Sequence, residues 1–398
     1  VLPKSEKTEF REGYQEARIQ VMLSIAYSAG IGGTGTITGT ATNLIFMAIL
    51  DELYGPDTGL NYGTWMAFSV PGLLLNAFIA WLWLQALFFF AQWRERRKHP
   101  ERQNQSKAEC EEELAQEERA ARAVICKKYS ELGSMSFHEF MTLSLFITLV
   151  LLWLSRDPQF VPGWAAWIKG DRDLGIGDGT AAMLIVFVFF IIPAKPDFWC
   201  FHDSSDSPSK SSEALLNWRV LHEKMPWGLL LLIGAGFAIA KASEASCLSY
   251  WVGQQMATLG YLSPAALVFI MTIMTTLITN VASNTATVTI VMPVLAQLAN
   301  VLKVNPLYLM LPSAIACSYA FMLPVATPYN AIVYEVSKMK TTTMMKAGAV
   351  MNVVCVLVIN MTINTLGNYI FDFSTFPEWA VTASNSSASS SHCNYTLY

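Results

Sequence analysis

Between Glu244 and Glu335 the sequence holds a single charged residue, Lys303. In the middle of that run stands a polar knot, Thr279-Asn280-Val281-Ala282-Ser283-Asn284-Thr285-Ala286-Thr287, flanked by the apolar arms Ala265–Ile278 and Val288–Leu298. Neither arm reaches the roughly 20 residues that a spanning helix needs. Two short arms meeting at Ser283-Asn284-Thr285 therefore predict a re-entrant helical hairpin with its tip inside the membrane. Irregular backbone at that depth is tolerated only where it lines a cavity or is buried in protein, so the tip is expected to bind something polar.

Composition agrees. Of 398 residues, 53% are hydrophobic and only 14% charged, which places the chain among all-α polytopic membrane proteins. The net charge of -4 implies no nucleic-acid partner. The 7 cysteines show neither CxxC pairing nor metal-ligand spacing, which argues against a zinc site or a disulfide framework. The histidines, at 99, 138, 202, 222 and 392, lie in loops or at span edges, which argues against a proton relay. No signal peptide is visible, and no nucleophile–base constellation points to an enzyme. The chain starts on Val1 within a charged segment, so its true N-terminus is expected to lie upstream.

Taken in order, Val1–Arg18 reads as an exposed, cytoplasmic lead-in. Ile19–Leu50 is uncharged, but its centre, Gly30 to Asn43, is crowded with Gly and Thr. Glycine costs about 1 kcal/mol per helical position relative to alanine, so a helix here is expected to break near its middle. Thr64–Gln92 is an aromatic-rich span, and residues 93–135 form a charged loop. Arg94, Arg96, Arg97, Lys98, Lys127 and Lys128 sit near its membrane edges, which makes that loop cytoplasmic. Phe137–Ser155 crosses outward, Gly179–Ala194 returns, and Lys195–Lys224 is cytoplasmic with a flexible Ser run. Pro226–Ala240 goes out, and Ala242–Leu259 lies along the outer interface. Pro306–Lys338 is a second interrupted span, broken at Leu323 to Asn330, and Met344–Phe371 exits outward. The extracellular tail, 372–398, carries sequons at Asn385 and Asn394, the expected glycosylation sites.

The two interrupted spans match each other. Gly39-Thr40-Ala41-Thr42-Asn43 and Ala326-Thr327-Pro328-Tyr329-Asn330 both place a Thr three residues before an Asn at the break. By the topology above they run in opposite directions, an inverted repeat of the kind that builds secondary transporters around a midplane site. The second break is preceded by the Ser-Asn-Thr hairpin; the equivalent hairpin of the first repeat is expected to be missing from this chain. The candidate site offers hydroxyls, amides and backbone groups from Thr40, Asn43, Thr279, Ser283, Asn284, Thr285, Thr327 and Asn330, and no Arg, Lys or His. An anion there must be neutralised by half-helix N-termini and by bound cations. The oxygens are hard ligands suited to sodium, which predicts cation-coupled anion uptake.

Thr279 to Thr287 and Ser318 to Val333 resemble the divalent anion:sodium symporter family, which includes the sodium/dicarboxylate and sodium/citrate cotransporters. Ile31-Gly-Gly-Thr34, Ser155-Arg-Asp-Pro158, Phe160-Val-Pro-Gly-Trp164, and the stretch from Pro226-Trp-Gly228 to Glu244-Ala-Ser246 extend the likeness over nearly the whole chain. The resemblance implies an elevator-type transporter in the plasma membrane, working as a homodimer in the lipid bilayer. Residues 19–92 and 260–371 would belong to the transport domain, and 136–259 to the scaffold. Substrate would be a di- or tricarboxylate such as succinate or citrate, held by Thr40, Asn284, Thr285, Thr327 and Pro328. One sodium would sit at Thr279, Ala282, Asn284 and Ala326, and another at Gly39 with the hairpin absent here. No cofactor beyond these coupling ions is implied. The chain departs from the family pattern at Pro328-Tyr329-Asn330, where the family has Pro-Pro-Asn, and at Ala41-Thr42, where a Gly- or Pro-containing sequence is usual. The rival readings are sodium-coupled sulfate transport, carboxylate transport without sodium, and a short non-transporting isoform that dimerises with full-length subunits.

Overall fold

A computed structural model describes residues 4–55, 58–98, 126–156, 162–169, 176–195, 213–225 and 261–381, together with scattered positions between 119 and 123 and between 227 and 246. The described residues are mostly helical and contain no strand, only one isolated antiparallel bridge between Pro193 and Ala214. The interfacial segment expected at Ala242–Leu259, the span at Pro226–Ala240, the Ser run and both sequons lie largely or wholly outside the described residues.

Two compact units result, one of residues 1–88 with 226–398 and one of residues 89–225. The first holds α1 (Lys4–Gly33), α2 (Ala41–Tyr54), most of α3 (Tyr62–Lys98), α8 (Pro264–Thr279), α9 (Asn284–Leu302), α10 (Pro306–Ala316), α11 (Pro328–Ser337), α12 (Thr341–Thr362) and α13 (Asn368–Phe371). The second holds α4 (Phe137–Arg156), α5 (Trp164–Lys169), α6 (Asp178–Ile191) and α7 (Trp218–Lys224). Its small core is Leu145, Ile185 and Leu215, and a 2.8 Å ion pair joins Arg156 to Asp178.

Among the described residues, four helical stretches are long and apolar enough to cross a membrane by length and composition: Tyr62–Phe90, Phe137–Arg156, Asn284–Leu302 and Thr341–Phe371. Their outward faces carry large apolar side chains, among them Phe78, Trp81, Phe89 and Phe90 on α3 and Phe140, Phe146 and Leu151 on α4. Exposed apolar side chains of this kind are stable against lipid and costly in water.

The first helix is longer than its apolar part: α1 begins at Lys4, well ahead of Ile19. Its Glu-, Lys-, Gln- and Arg-rich opening is made of good helix formers, so propensity carries the helix outward from the apolar part. The second hairpin arm is also longer than expected. Ser283 caps α9 by accepting from the Ala286 amide at 3.2 Å, so Asn284, Thr285 and Thr287 join the first turn and the arm reaches 19 residues. At both C-termini, Lys303 after α9 (φ 54) and Lys338 after α11 (φ 52) stop the helix in the left-handed conformation.

Both interrupted spans are interrupted. The first stops at Gly33, makes a 3-10 turn over Ile37–Gly39 and restarts at Ala41; the second stops at Ala316 and restarts at Pro328. In the larger unit, α1 packs against α11, α2 against α9 and α10, and α8 against α10 and α12.

Candidate functional site

The two breaks are built alike. At the first, Asn43 Nδ2 donates to the carbonyls of Gly33 (3.1 Å) and Thr36 (2.8 Å), reaching back ten and seven residues. At the second, Asn330 Nδ2 donates to Ala320 (2.6 Å) and Leu323 (3.1 Å), again ten and seven residues back. Thr40 and Thr327 precede the restarting helices with the same backbone, φ -141 and ψ 153 against φ -143 and ψ 150. Equivalent amides close each turn, Gly39 to Thr36 and Ala326 to Leu323. A helix interrupted inside a protein frees carbonyls that need donors; a single amide nitrogen supplies two of them at each break. Asn43 Oδ1 and Asn330 Oδ1 remain buried without a partner among the described residues.

Glycine is required where backbone meets backbone. A methyl on Gly39 would collide with the Gly33 carbonyl oxygen, and one on Gly348 of α12 with the Phe321 carbonyl oxygen beside the second break. A methyl on Gly32 meets nothing within 4 Å. Gly39→Ala and Gly348→Ala are therefore expected to lower stability by about 1–3 kcal/mol. Gly32→Ala is expected to be neutral or to stabilise by about 0.4–1 kcal/mol. Thermal unfolding midpoints of the three purified variants check this.

The hairpin tip is a short turn, Asn280 to Ser283, between α8 and α9. Thr279 Oγ1 lies 2.8 Å from Asn284 Oδ1 and 2.6 Å from the Cys317 carbonyl oxygen at the second break. Thr279 is fully buried. One hydroxyl proton is shared between two acceptors, so three oxygens converge around a single proton. That arrangement is electron-rich and suits a hard cation. Alongside it, Ser283 Oγ and Thr285 Oγ1 lie 3.1 Å apart.

Asn280 fastens the tip to the second break. Its Nδ2 donates to the Thr276 carbonyl (2.6 Å), and its Oδ1 accepts from the Met322 amide (3.0 Å). Asn352 of α12, oriented so that its neighbours are satisfied, donates to the Tyr319 carbonyl (3.2 Å) and accepts from Asn280 Nδ2 (2.6 Å). The sequence shows Asn280 only as one member of the polar knot and gives Asn352 no role; that both tie the tip to the second break depends on contacts between distant segments.

Of the residues expected to bind ligand, Thr279 and Asn284 touch directly. Ala326 is buried beside Thr327, and Pro328 opens α11. Ala282 closes the tip turn, its amide bonding the Ile278 carbonyl. Thr40 caps α2 by accepting from the Asn43 amide at 3.4 Å, and Gly39 ends the 3-10 turn beside it. Among the described residues, no hydrogen bond joins Gly39 or Thr40 to the hairpin. The departure at Tyr329 turns out to be structural as well as local. Its hydroxyl lies 3.5 Å from the Ser318 carbonyl, with the side chains of Thr327 and Asn284 nearby. A methyl on Gly30 of α1 would sit 2.8 Å from that hydroxyl and 2.7 Å from the Phe321 ring. Tyr329 thus fills a space that Gly30 leaves open, which the residue spacing could not reveal.

Among the described residues no cluster of three His, Cys, Asp or Glu offers a transition-metal site. The site's chemistry is that of neutral oxygens, amides and helix N-termini. The family model for the sodium:sulfate symporter transmembrane region matches residues 2–372. The chain belongs to this symporter family. It is 39% identical over 367 residues to the mouse Na(+)/citrate cotransporter, covering 90% of this chain and 62% of that protein. It is 39% identical over 369 residues to mouse Na(+)/dicarboxylate cotransporter 3 (92% and 59%), and 40% identical over 363 residues to human solute carrier family 13 member 1 (91% and 59%). The symporter-family chain therefore spans about three-fifths of the length of the curated relatives it matches.

Proposed function

We propose that this chain forms part of a secondary transporter that couples sodium to the symport of di- or tricarboxylates such as succinate and citrate. The observation that carries this reading is the convergence of Thr279 Oγ1, Asn284 Oδ1 and the Cys317 carbonyl, with no basic side chain among the candidate site residues themselves. An anion held there needs cations for neutralisation, and this oxygen cluster supplies a place for one. Thr279, Ala282, Asn284 and Ala326 are the proposed sodium ligands, with Gly39 serving a second ion. Asn284, Thr285, Thr327, Pro328 and Thr40 are the proposed contacts of the anion. Helix N-termini at Ser283, Thr327 and Thr40 add partial positive charge where a carboxylate would lie.

The matched breaks support an inverted repeat, and the tight tip packed on the second break supports a re-entrant hairpin. In this reading residues 19–92 and 260–371 move as a transport domain in an elevator cycle. Residues 136–259 serve the dimeric scaffold, in the plasma membrane, with the loop 93–135 inside and the glycosylated tail, Asn385 and Asn394 included, outside.

Uptake of labelled succinate, citrate and sulfate by cells expressing the full-length protein tests the proposal. Replacing sodium by choline is expected to lower carboxylate uptake at least tenfold; uptake indifferent to sodium would sink the coupling claim. Sulfate uptake is the second reading, favoured by the family's own description as sodium:sulfate symporters. Saturable sulfate uptake without carboxylate competition would decide for it.

A further inference from the structure

A small cavity lies where α3, the end of α10 and α12 meet both breaks, and it leaves a water-sized sphere about 10 Å³. That is the room one water molecule needs, about 10–15 Å³ by this measure. Ser69, Asn76, Tyr319, Thr34 and Thr362 face it, and each is more than nine-tenths buried.

The polar atoms here are unbalanced. Ser69 Oγ and Asn76 Oδ1 have no partner among the described residues. Asn76 Nδ2 donates to the Tyr319 hydroxyl over a long 3.4 Å, and no acceptor for the Tyr319 proton is found among the described residues. Thr34 and Thr362 have already given their protons to the Ile31 and Ile359 carbonyls (2.7 and 3.0 Å). The cavity therefore holds two hydroxyl protons seeking acceptors and one amide oxygen seeking a donor. An unpaired buried polar group costs about 1–3 kcal/mol.

We infer that this cavity is a built site for one ordered water, accepting from Ser69 and Tyr319 and donating to Asn76 Oδ1. Three bonds is the usual complement of a buried water. A sodium ion fits the donor set worse. It would face two hydroxyl protons that find no acceptor among the described residues. The water has a mechanical role. Trp65 Nε1 of α3 already donates to the Thr34 carbonyl at the first break (3.0 Å). The water ties the same helix to Tyr319 at the second, so α3 braces both breaks together.

The test is a structure of the protein at a resolution that shows ordered waters, prepared in sodium and in choline, for the wild type, Ser69→Ala and Asn76→Leu. The expected result is one peak about 2.7–3.2 Å from Ser69 Oγ, Asn76 Oδ1 and Tyr319 Oη in both salts. It should weaken in Ser69→Ala, together with a lower unfolding midpoint, and vanish in Asn76→Leu. An empty wild-type cavity overturns the inference. So does a peak present only in sodium, or a Ser69→Ala variant whose peak and midpoint match the wild type. Should Asn76→Leu fail to fold, the Ser69→Ala arm and the salt comparison still decide.

Discussion

Asn284→Ala is expected to reduce sodium-dependent uptake by about 10- to 150-fold while leaving the protein at the cell surface. The magnitude follows from the roughly 1.5–3 kcal/mol that a hydrogen-bonding group contributes to a charged partner. The confinement of the effect to transport follows from geometry. Asn284 is only half-buried, and its Oδ1 accepts from Thr279 Oγ1, which keeps a second partner in the Cys317 carbonyl when Asn284 is truncated. The fold thus loses little, and the site loses one of three converging oxygens. Asn284→Asp separates the two ligands of the proposed site. It keeps an oxygen for the cation and adds a negative charge, so sodium affinity should hold or rise while anion uptake falls. Val281→Ala is the control, because Val281 is 76% exposed at the same tip and touches neither ligand in this scheme. Wild-type uptake in Asn284→Ala, with sodium dependence intact, would remove the hairpin from the site altogether.

Much of the two breaks and of the tip turn was legible in the residues, and what was not has a common cause. The breaks announced themselves through composition: Gly33, Gly35 and Gly39 with interleaved Thr at the first, Pro324 and Pro328 at the second, although there the helix already ends at Ala316, ahead of both prolines. These residue types fail as helix for local reasons, so a sequence reveals them. The shared Thr-to-Asn spacing was equally visible, because it is a distance along the chain. Which carbonyls Asn43 and Asn330 hold was not, since this depends on how a non-helical loop folds back through space. The Cys317 carbonyl escaped for the same reason. It is a backbone atom 38 residues from Thr279, and side-chain identity says nothing about it. The second arm was misjudged because polar Asn284, Thr285 and Thr287 look like an end to the apolar run, whereas a Ser283 cap makes them a beginning. Tyr329 drew notice only as a departure at the second break; that it fills the notch left by Gly30 is a contact between distant segments.

Asn330→Asp is expected to cost the protein its fold rather than its turnover, the opposite signature to Asn284→Ala. Asn330 is fully buried, and its Nδ2 serves the Ala320 and Leu323 carbonyls while its Oδ1 has no partner among the described residues. The stabilising work of the side chain therefore rests on the nitrogen. Aspartate preserves shape and volume and exchanges that nitrogen for an oxygen. Ionised, it would set a buried charge against two carbonyls; protonated, it has one proton for two acceptors. Leaving one or both carbonyls unpaired costs about 1–3 kcal/mol each, so a loss of about 2–5 kcal/mol is expected against a total stability of about 5–15 kcal/mol. Asn330→Ala should fall in the same range, with a cavity in place of the repulsion. Because Asn43 makes the same pair of bonds at the first break, Asn43→Asp should behave alike. Both are checked by the thermal midpoint and by the folded fraction recovered on gel filtration from detergent extracts. A midpoint within a degree of wild type for Asn330→Asp would mean that the freed carbonyls find water instead. The breaks would then be wet channels rather than clamped joints, and the matched geometry would owe nothing to the two asparagines.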